Sequence, residues 1–116
     1  MEKRRGKRYK RRMKIRFGLD EAKQLGFVED ISTTGLRIKT GTVYKPGLSI
    51  KMQIEDEKTG LMMEADGLVR WARKVPPSMM AKHRCGMGIA FMKIDASMHG
   101  FLMSLRGKET YDDGSG

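Results

Sequence analysis

Leu48-Ser49-Ile50-Lys51-Met52-Gln53-Ile54-Glu55 is the stretch from which the fold is read. Leu48, Ile50, Met52 and Ile54 alternate with Ser49, Lys51, Gln53 and Glu55. A side-chain period of two belongs to a strand with one face in a core and the other in water. A helix would need apolar residues three and four apart. On the N-terminal side, residues 41–47 read as a loop, and Pro46-Gly47 is a strong turn signal. On the C-terminal side, residues 55–60 are polar and read as a hairpin end.

Further outward the same period recurs. Residues 61–71 place Met63, Ala65, Gly67, Val69 and Trp71 on one parity, with Glu64, Asp66, Leu68 and Arg70 on the other. Gly67 within that run predicts a bulge or sharp bend. Met13, Ile15 and Phe17 alternate with Lys14 and Arg16. Leu25, Phe27 and Ile31 share a parity, and Leu36, Ile38 and Thr40 alternate with Arg37 and Lys39. Val75-Pro76-Pro77-Ser78 breaks the strand pattern, because proline cannot donate to a ladder. A last strand is predicted over 84–92, with Cys85, Met87, Ile89 and Phe91 on one side. Met98, Phe101, Leu102 and Leu105 then fall at helical spacing, with Asp95 or Ser97 as cap and Gly107 as stop. The predicted fold is all-β with one C-terminal helix, a six-stranded antiparallel β-barrel with the helix over an open end or face.

The 116 residues suit a single domain with one modest core. The net charge is +10, and residues 3–16 hold ten Lys/Arg and no Asp/Glu, which accounts for the whole excess. Residues 1–11 are therefore expected to form a flexible basic arm, mobile without a ligand. Residues 12–106 form the barrel with its helix, and 107–116 a flexible acidic tail. An arm of this kind suits nucleic acid, a nucleotide or an anionic membrane surface. No apolar run reaches the roughly 18–20 residues of a membrane span, and the charged start is not read as a signal peptide. One cysteine, Cys85, excludes an intrachain disulfide and fits a reducing, cytoplasmic compartment.

Enzyme chemistry finds no set of residues. His83 and His99 are the only histidines, and neither sits at metal-ligand spacing with another His or Cys. Asp30 and Ser32 lack a nucleophile elbow, and Glu55, Asp56 and Glu57 lie at a solvated hairpin tip. The expectation is a binding module with no catalytic residue, no metal and no cofactor.

Binding chemistry concentrates in two places. Asp30-Ile31-Ser32-Thr33-Thr34-Gly35 reads as a tight polar turn between strands. Asp and Ser side chains hydrogen-bond local backbone there, and Gly35 supplies either a positive φ or a close approach. Upstream, Arg4, Arg5, Arg8 and Arg12 lie on or beside the arm. Arginine matches phosphate oxygens with a planar fork of donors and stacks on nucleobases. Asp30 can accept hydrogen bonds from a guanine edge, and Ser32 and the turn amides can meet phosphate. An arginine clamp facing this turn suits a guanine nucleotide with more than one phosphate.

These motifs resemble those of the PilZ domain family, receptors for the bacterial second messenger cyclic di-GMP. That family carries an RxxxR arm followed by a [D/N]xSxxG turn, and residues 30–35 fit the second motif at every fixed position. Gly67-Leu68-Val69-Arg70-Trp71 and Gly86-Met87-Gly88-Ile89-Ala90-Phe91 are similar to the family's later strands. The resemblance covers roughly residues 4–106 and rests on motif order and spacing. RxxxR occurs in three registers: Arg4/Arg8, Arg8/Arg12 and Arg12/Arg16. Arg4/Arg8 is preferred, because Arg4-Arg5-Gly6-Lys7-Arg8 is similar to the family's doubled-arginine form and leaves slack before the first strand.

The resemblance implies that Arg4, Arg8, Asp30, Ser32 and Gly35 bind cyclic di-GMP, with Arg5, Arg12 and Trp71 as further candidates. Trp71 can stack on guanine if it faces out, whereas its parity with Met63 and Val69 assigns it to the core or rim. Ordering of the arm by the nucleotide would change the surface offered to a downstream protein in motility, exopolysaccharide or adhesion control. Two other readings stay open. One is a small basic barrel that binds nucleic acid, against which stands an aromatic content of only 7%. The other is a protein-interaction domain with little nucleotide affinity, for which Met62, Met79 and Met80 are the exposed candidates.

Overall fold

A computed structural model describes residues 7–79 and 85–115, with side chains described as far as residue 105. Six strands run in chain order: β1 (Met13–Gly18), β2 (Gln24–Ile31), β3 (Gly35–Lys39), β4 (Ser49–Asp56), β5 (Met62–Arg73) and β6 (Gly86–Ile94). A 3-10 turn at Pro77–Met79 follows β5, and α1 (Ala96–Ser115) ends the chain. The strands close into an antiparallel barrel in the order β1-β2-β3-β6-β5-β4. Closure pairs every strand on both edges and leaves no open edge in the sheet.

The alternation in β4 has the predicted consequence. Ile50, Met52 and Ile54 are buried and meet Met13, Ile15 and Phe17 of β1 inside the barrel. Leu36 and Ile38 of β3, Met63 and Val69 of β5, and Met87 and Ile89 of β6 complete the core. Met98, Phe101, Leu102 and Leu105 of α1 join the same cluster, with α1 packed chiefly on β5. Asp95 caps this helix: its Oδ1 accepts from the Met98 N–H at 2.8 Å, and its Oδ2 accepts from the Glu64 N–H at 3.1 Å. The cap therefore also fastens the helix start to β5. Asp95 is thus the cap, of the two residues considered. The helix continues past Gly107 to Ser115. Glycine inside a helix costs about 1 kcal/mol relative to alanine, which is a preference and not a block.

Two bulges reverse the side-chain parity read from the sequence. In the β2–β3 pairing, Val28 is opposite Ile38 but Asp30 is opposite Arg37, so Glu29 is an extra residue. Val28 and Ile31 are both buried, whereas Leu25 and Phe27 face solvent, 65% and 58% exposed. In the β5–β6 pairing, Val69 is opposite Ile89 but Trp71 is opposite Gly88, so Arg70 is the extra residue. Trp71 leaves the parity of Val69 and is 41% exposed. A third irregularity, between Asp66 and Gly67, accompanies the bend expected at Gly67. A Cβ there would run into Ile89 Cγ2 and lie 2.9 Å from Met52 Cε, so the bend brings side chains against bare backbone.

Residues 8–11, assigned from the sequence to a mobile arm, are tied to the barrel in this structure. Tyr9 and Ile31 exchange backbone hydrogen bonds at 2.7 and 2.9 Å. The Tyr9 hydroxyl donates to the Leu105 carbonyl of α1 at 3.2 Å. Arg11 grips the buried Asp56 at the end of β4, with Nη2 to Oδ2 at 2.9 Å and Nε to Oδ1 at 3.3 Å. Its guanidinium also lies 5.1 Å from the Phe101 ring centroid. The path of the chain into β1 thus sets where Arg8 stands.

Candidate functional site

The Glu29 bulge creates the site. It moves Asp30 onto the outer face beside Arg37 while Ile31 returns to the core. The turn that follows closes on itself. The Ser32 N–H donates to the Gly35 carbonyl at 2.8 Å, and the Thr34 N–H donates to Ser32 Oγ at 3.2 Å. Ser32 is buried, and its hydroxyl also contacts Thr34 Oγ1 at 3.2 Å and the Gly35 carbonyl at 3.4 Å. Gly35 does not have a positive φ. A Cβ on it would fall well under 3.0 Å from the Ile89 carbonyl oxygen, so the glycine serves close approach of β3 to β6. Of the two explanations for Gly35, close approach is the one that applies.

Asp30 sits between two arginines. Arg8 Nε donates to its Oδ1 at 2.7 Å. Arg37 Nε donates to Oδ2 at 2.9 Å and Oδ1 at 3.1 Å, and Arg37 Nη2 donates to Oδ2 as well. Arg8 Nη1 also reaches Ser32 Oγ at 3.5 Å. The Asp30 side chain is only 3% exposed, while those of Arg8 and Arg37 are 35% and 41% exposed. The arginines thus cover the carboxylate and keep part of their own surface in water. Burial alone would raise the Asp30 carboxyl. Hydrogen bonds from Arg37 and then Arg8, with the charges of both, outweigh burial and hold it below its ordinary value. The hydrogen bond to Asp30 raises Arg37 above its ordinary value, against the opposing effect of its own burial. Both partners are therefore charged across the physiological range.

Beside this triad lies an open cleft of about 580 Å³. Arg8, Thr34, Gly35 and Arg37 line one side of it, and Arg70, Trp71, Gly88 and Ala90 the other. The volume falls within the roughly 300–1,000 Å³ of small-molecule clefts. Three arginines face it against the single carboxylate of Asp30, so the cleft favours an anion. Trp71 supplies an apolar plate. Its indole lies over Gly88, where a Cβ would collide with Nε1, Cε2 and Cδ1.

The structure therefore brings together Arg8, Asp30, Ser32 and Gly35, with Trp71 on the same cleft. Arg12 does not line it. Its carbonyl accepts from the Glu57 N–H at 3.1 Å, beyond the end of β4. Arg16 lies on β1 opposite Leu25 and Gln53. Arg4 and Arg5 lie outside the described residues. Arg37 and Arg70 were not among the sequence candidates. Arg37 was legible: counting back from the turn pairs Ile31 with Leu36 and Asp30 with Arg37. Arg70 left no such signal, because it reaches the cleft through a bulge.

The model of the PilZ domain family matches residues 2–106. The chain belongs to the PilZ domain family. A solved structure of the Bacillus subtilis inhibitor of motility, MotI/DgrA, is similar to this PilZ chain, with a TM-score of 0.74 at 16% sequence identity. The similarity covers 97% of this chain and 53% of that one, so this chain spans about half the length of that structure. At this identity the likeness is one of fold. Among curated proteins no relative matches the sequence. No described helix of this PilZ chain is long and apolar enough to cross a membrane. No three described His, Cys, Asp or Glu side chains are grouped to hold a metal ion.

Proposed function

We propose that this chain is a cyclic di-GMP receptor domain that acts by binding and has no catalytic step. The observation that carries the proposal is the Arg8–Asp30–Arg37 triad at the rim of a cleft that also holds Arg70 and Trp71. In this reading Asp30 aims the arginines. Arg37 engages it through Nε and Nη2, whereas Arg8 engages it through Nε alone. Arg37 is then the standing counter-ion, and Arg8 the one free to turn its remaining donors toward a phosphate. Arg4, with Arg5, would supply the second half of the clamp. Trp71 takes a guanine by stacking. Ser32 and Gly35 hold the turn in shape beside the cleft, and the Ser32 hydroxyl lies within reach of Arg8.

Binding would draw the upstream arm onto the barrel and change the surface offered to a downstream protein partner in the cytoplasm. The controlled process is motility, exopolysaccharide production or adhesion, and the similar structure carries the name of an inhibitor of motility. Calorimetry with cyclic di-GMP tests the reading. Heat with the wild type that is lost in Arg8→Ala and Asp30→Ala is expected. Equal heats from all three, or none from the wild type, would overturn it.

A further inference from the structure

A second exposed feature lies on the outer face of β1, β2 and β3, on residues that play no part in the nucleotide cleft. Leu25 and Phe27 project from β2 and are 65% and 58% exposed. The register sets Phe27 directly between Lys14 of β1 and Lys39 of β3, and sets Leu25 beside Arg16 of β1. Cross-strand neighbours of this kind have Cβ atoms about 4.5–5.5 Å apart, so two apolar side chains sit within a ring of three cations. None of Lys14, Arg16 and Lys39 makes an ion pair among the described residues. Glu55 is the cross-strand neighbour of Lys14, but on the side away from Phe27. The exposed basic alternation continues upstream through Arg12 and Lys10.

The Glu29 bulge separates the parity of Leu25 and Phe27 from that of Ile31, so both face out while Ile31 is buried. A strand whose outer face met only water would carry polar residues there. We propose that this face docks on an anionic lipid surface, Phe27 and Leu25 entering the headgroup boundary and Lys14, Arg16 and Lys39 meeting lipid phosphates. Leucine and phenylalanine flanked by Lys/Arg is the composition that settles at such interfaces. Other occupants fit less well. The face belongs to a closed barrel, so it is convex and offers an incoming peptide neither a groove nor a free strand edge. Single-stranded RNA calls for several stacking aromatics, and Phe27 is the one aromatic in this ring.

Co-sedimentation of the full chain with vesicles tests the proposal. The chain should pellet with vesicles of equal parts phosphatidylglycerol and phosphatidylcholine, less so as salt is raised, and stay in solution with phosphatidylcholine alone. Each cation near an anionic surface contributes about fivefold to partition, so Lys14→Gln, Arg16→Gln and Lys39→Gln together should lower it about a hundredfold. Leu25→Ser with Phe27→Ser should lower it at least about tenfold. Phe27→Trp in a Trp71→Phe background reports insertion directly, through a blue shift of its indole emission on anionic vesicles. A wild type that stays in solution, a serine variant that pellets like wild type, or an unshifted emission from the Phe27→Trp variant would overturn the proposal. So would Phe27-dependent binding to poly-uridylate in place of vesicles. Cyclic di-GMP titration of the serine variant should match wild type, so the two proposals fail or stand separately.

Discussion

Gly35→Ala is the perturbation whose outcome follows most directly from the geometry. The added Cβ would fall well under 3.0 Å from the Ile89 carbonyl oxygen, 3.1 Å from the Ile89 carbonyl carbon and 3.2 Å from Ala90 Cα. All three are backbone atoms of β6, so no side chain can rotate away. Restoring a carbon–oxygen contact of about 3.3 Å requires the β3–β6 ladder to part by about 1 Å at its end. Overpacking of this kind costs about 1–3 kcal/mol, and a weakened ladder bond adds about 1. The variant should lose about 2–4 kcal/mol, and its melting temperature should fall by about 10–20 °C. Two other glycines separate space from backbone conformation. Gly41 has open space around it and no positive φ, so Gly41→Ala should be neutral or stabilise by about 0.4–1 kcal/mol. Gly60 has open space but a φ of +79°, so Gly60→Ala should cost about 1–2 kcal/mol. Urea and thermal unfolding of the three variants rank them. Unfolding of Gly35→Ala together with Gly41→Ala would show that Gly35 does not serve close approach of β3 to β6.

Other outcomes follow from the ion pairs and the cleft. Arg11→Ala leaves the buried Asp56 with only Thr59 Oγ1 and the Lys58 N–H as partners and removes the contact with Phe101, so urea unfolding should register a loss of about 2 kcal/mol. Asp30 and Asp56 are both held below their ordinary value of 3.8 by their arginines, against burial. Their stabilisation is therefore present above the unfolded value and lost as pH falls through the folded values, below about pH 4. Acid titrations of stability should show this loss, and it should be shallower in Asp30→Asn and Asp56→Asn. Trp71 is the only tryptophan and lies on the cleft, so cyclic di-GMP should change its emission, and Arg8→Ala should abolish the change.

The barrel was legible because its signal is repeated: β1, β4 and β5 each carry several buried residues at period two, and Pro46-Gly47 and residues 55–60 mark the turns. The faces were less legible where the ladder slips. Parity alone places Leu25, Phe27 and Trp71 in the core, and parity fails when one residue is added to one strand only. The Glu29 and Arg70 bulges carry no glycine to mark them, whereas the irregularity at Gly67 does. The turn between β2 and β3 was legible, and symmetry about Thr33 and Thr34 pairs Asp30 with Arg37, a residue that was not among the sequence candidates. The docking of Tyr9 and Arg11 was hidden, because their partners, Ile31, Leu105 and Asp56, are distant in sequence. The helix end at Gly107 was a propensity argument, and propensity for one residue is weak against a helix already capped at Asp95.

The central claim is that Arg8 and Asp30 form two halves of one cyclic di-GMP site. A double-mutant cycle by calorimetry tests it most directly, using wild type, Arg8→Ala, Asp30→Ala and the double variant. Each single variant should lose most of the affinity and the double should lose little more, because Asp30 acts by aiming Arg8. Additive losses would contradict the coupling, and wild-type affinity in Arg8→Ala would contradict the site itself.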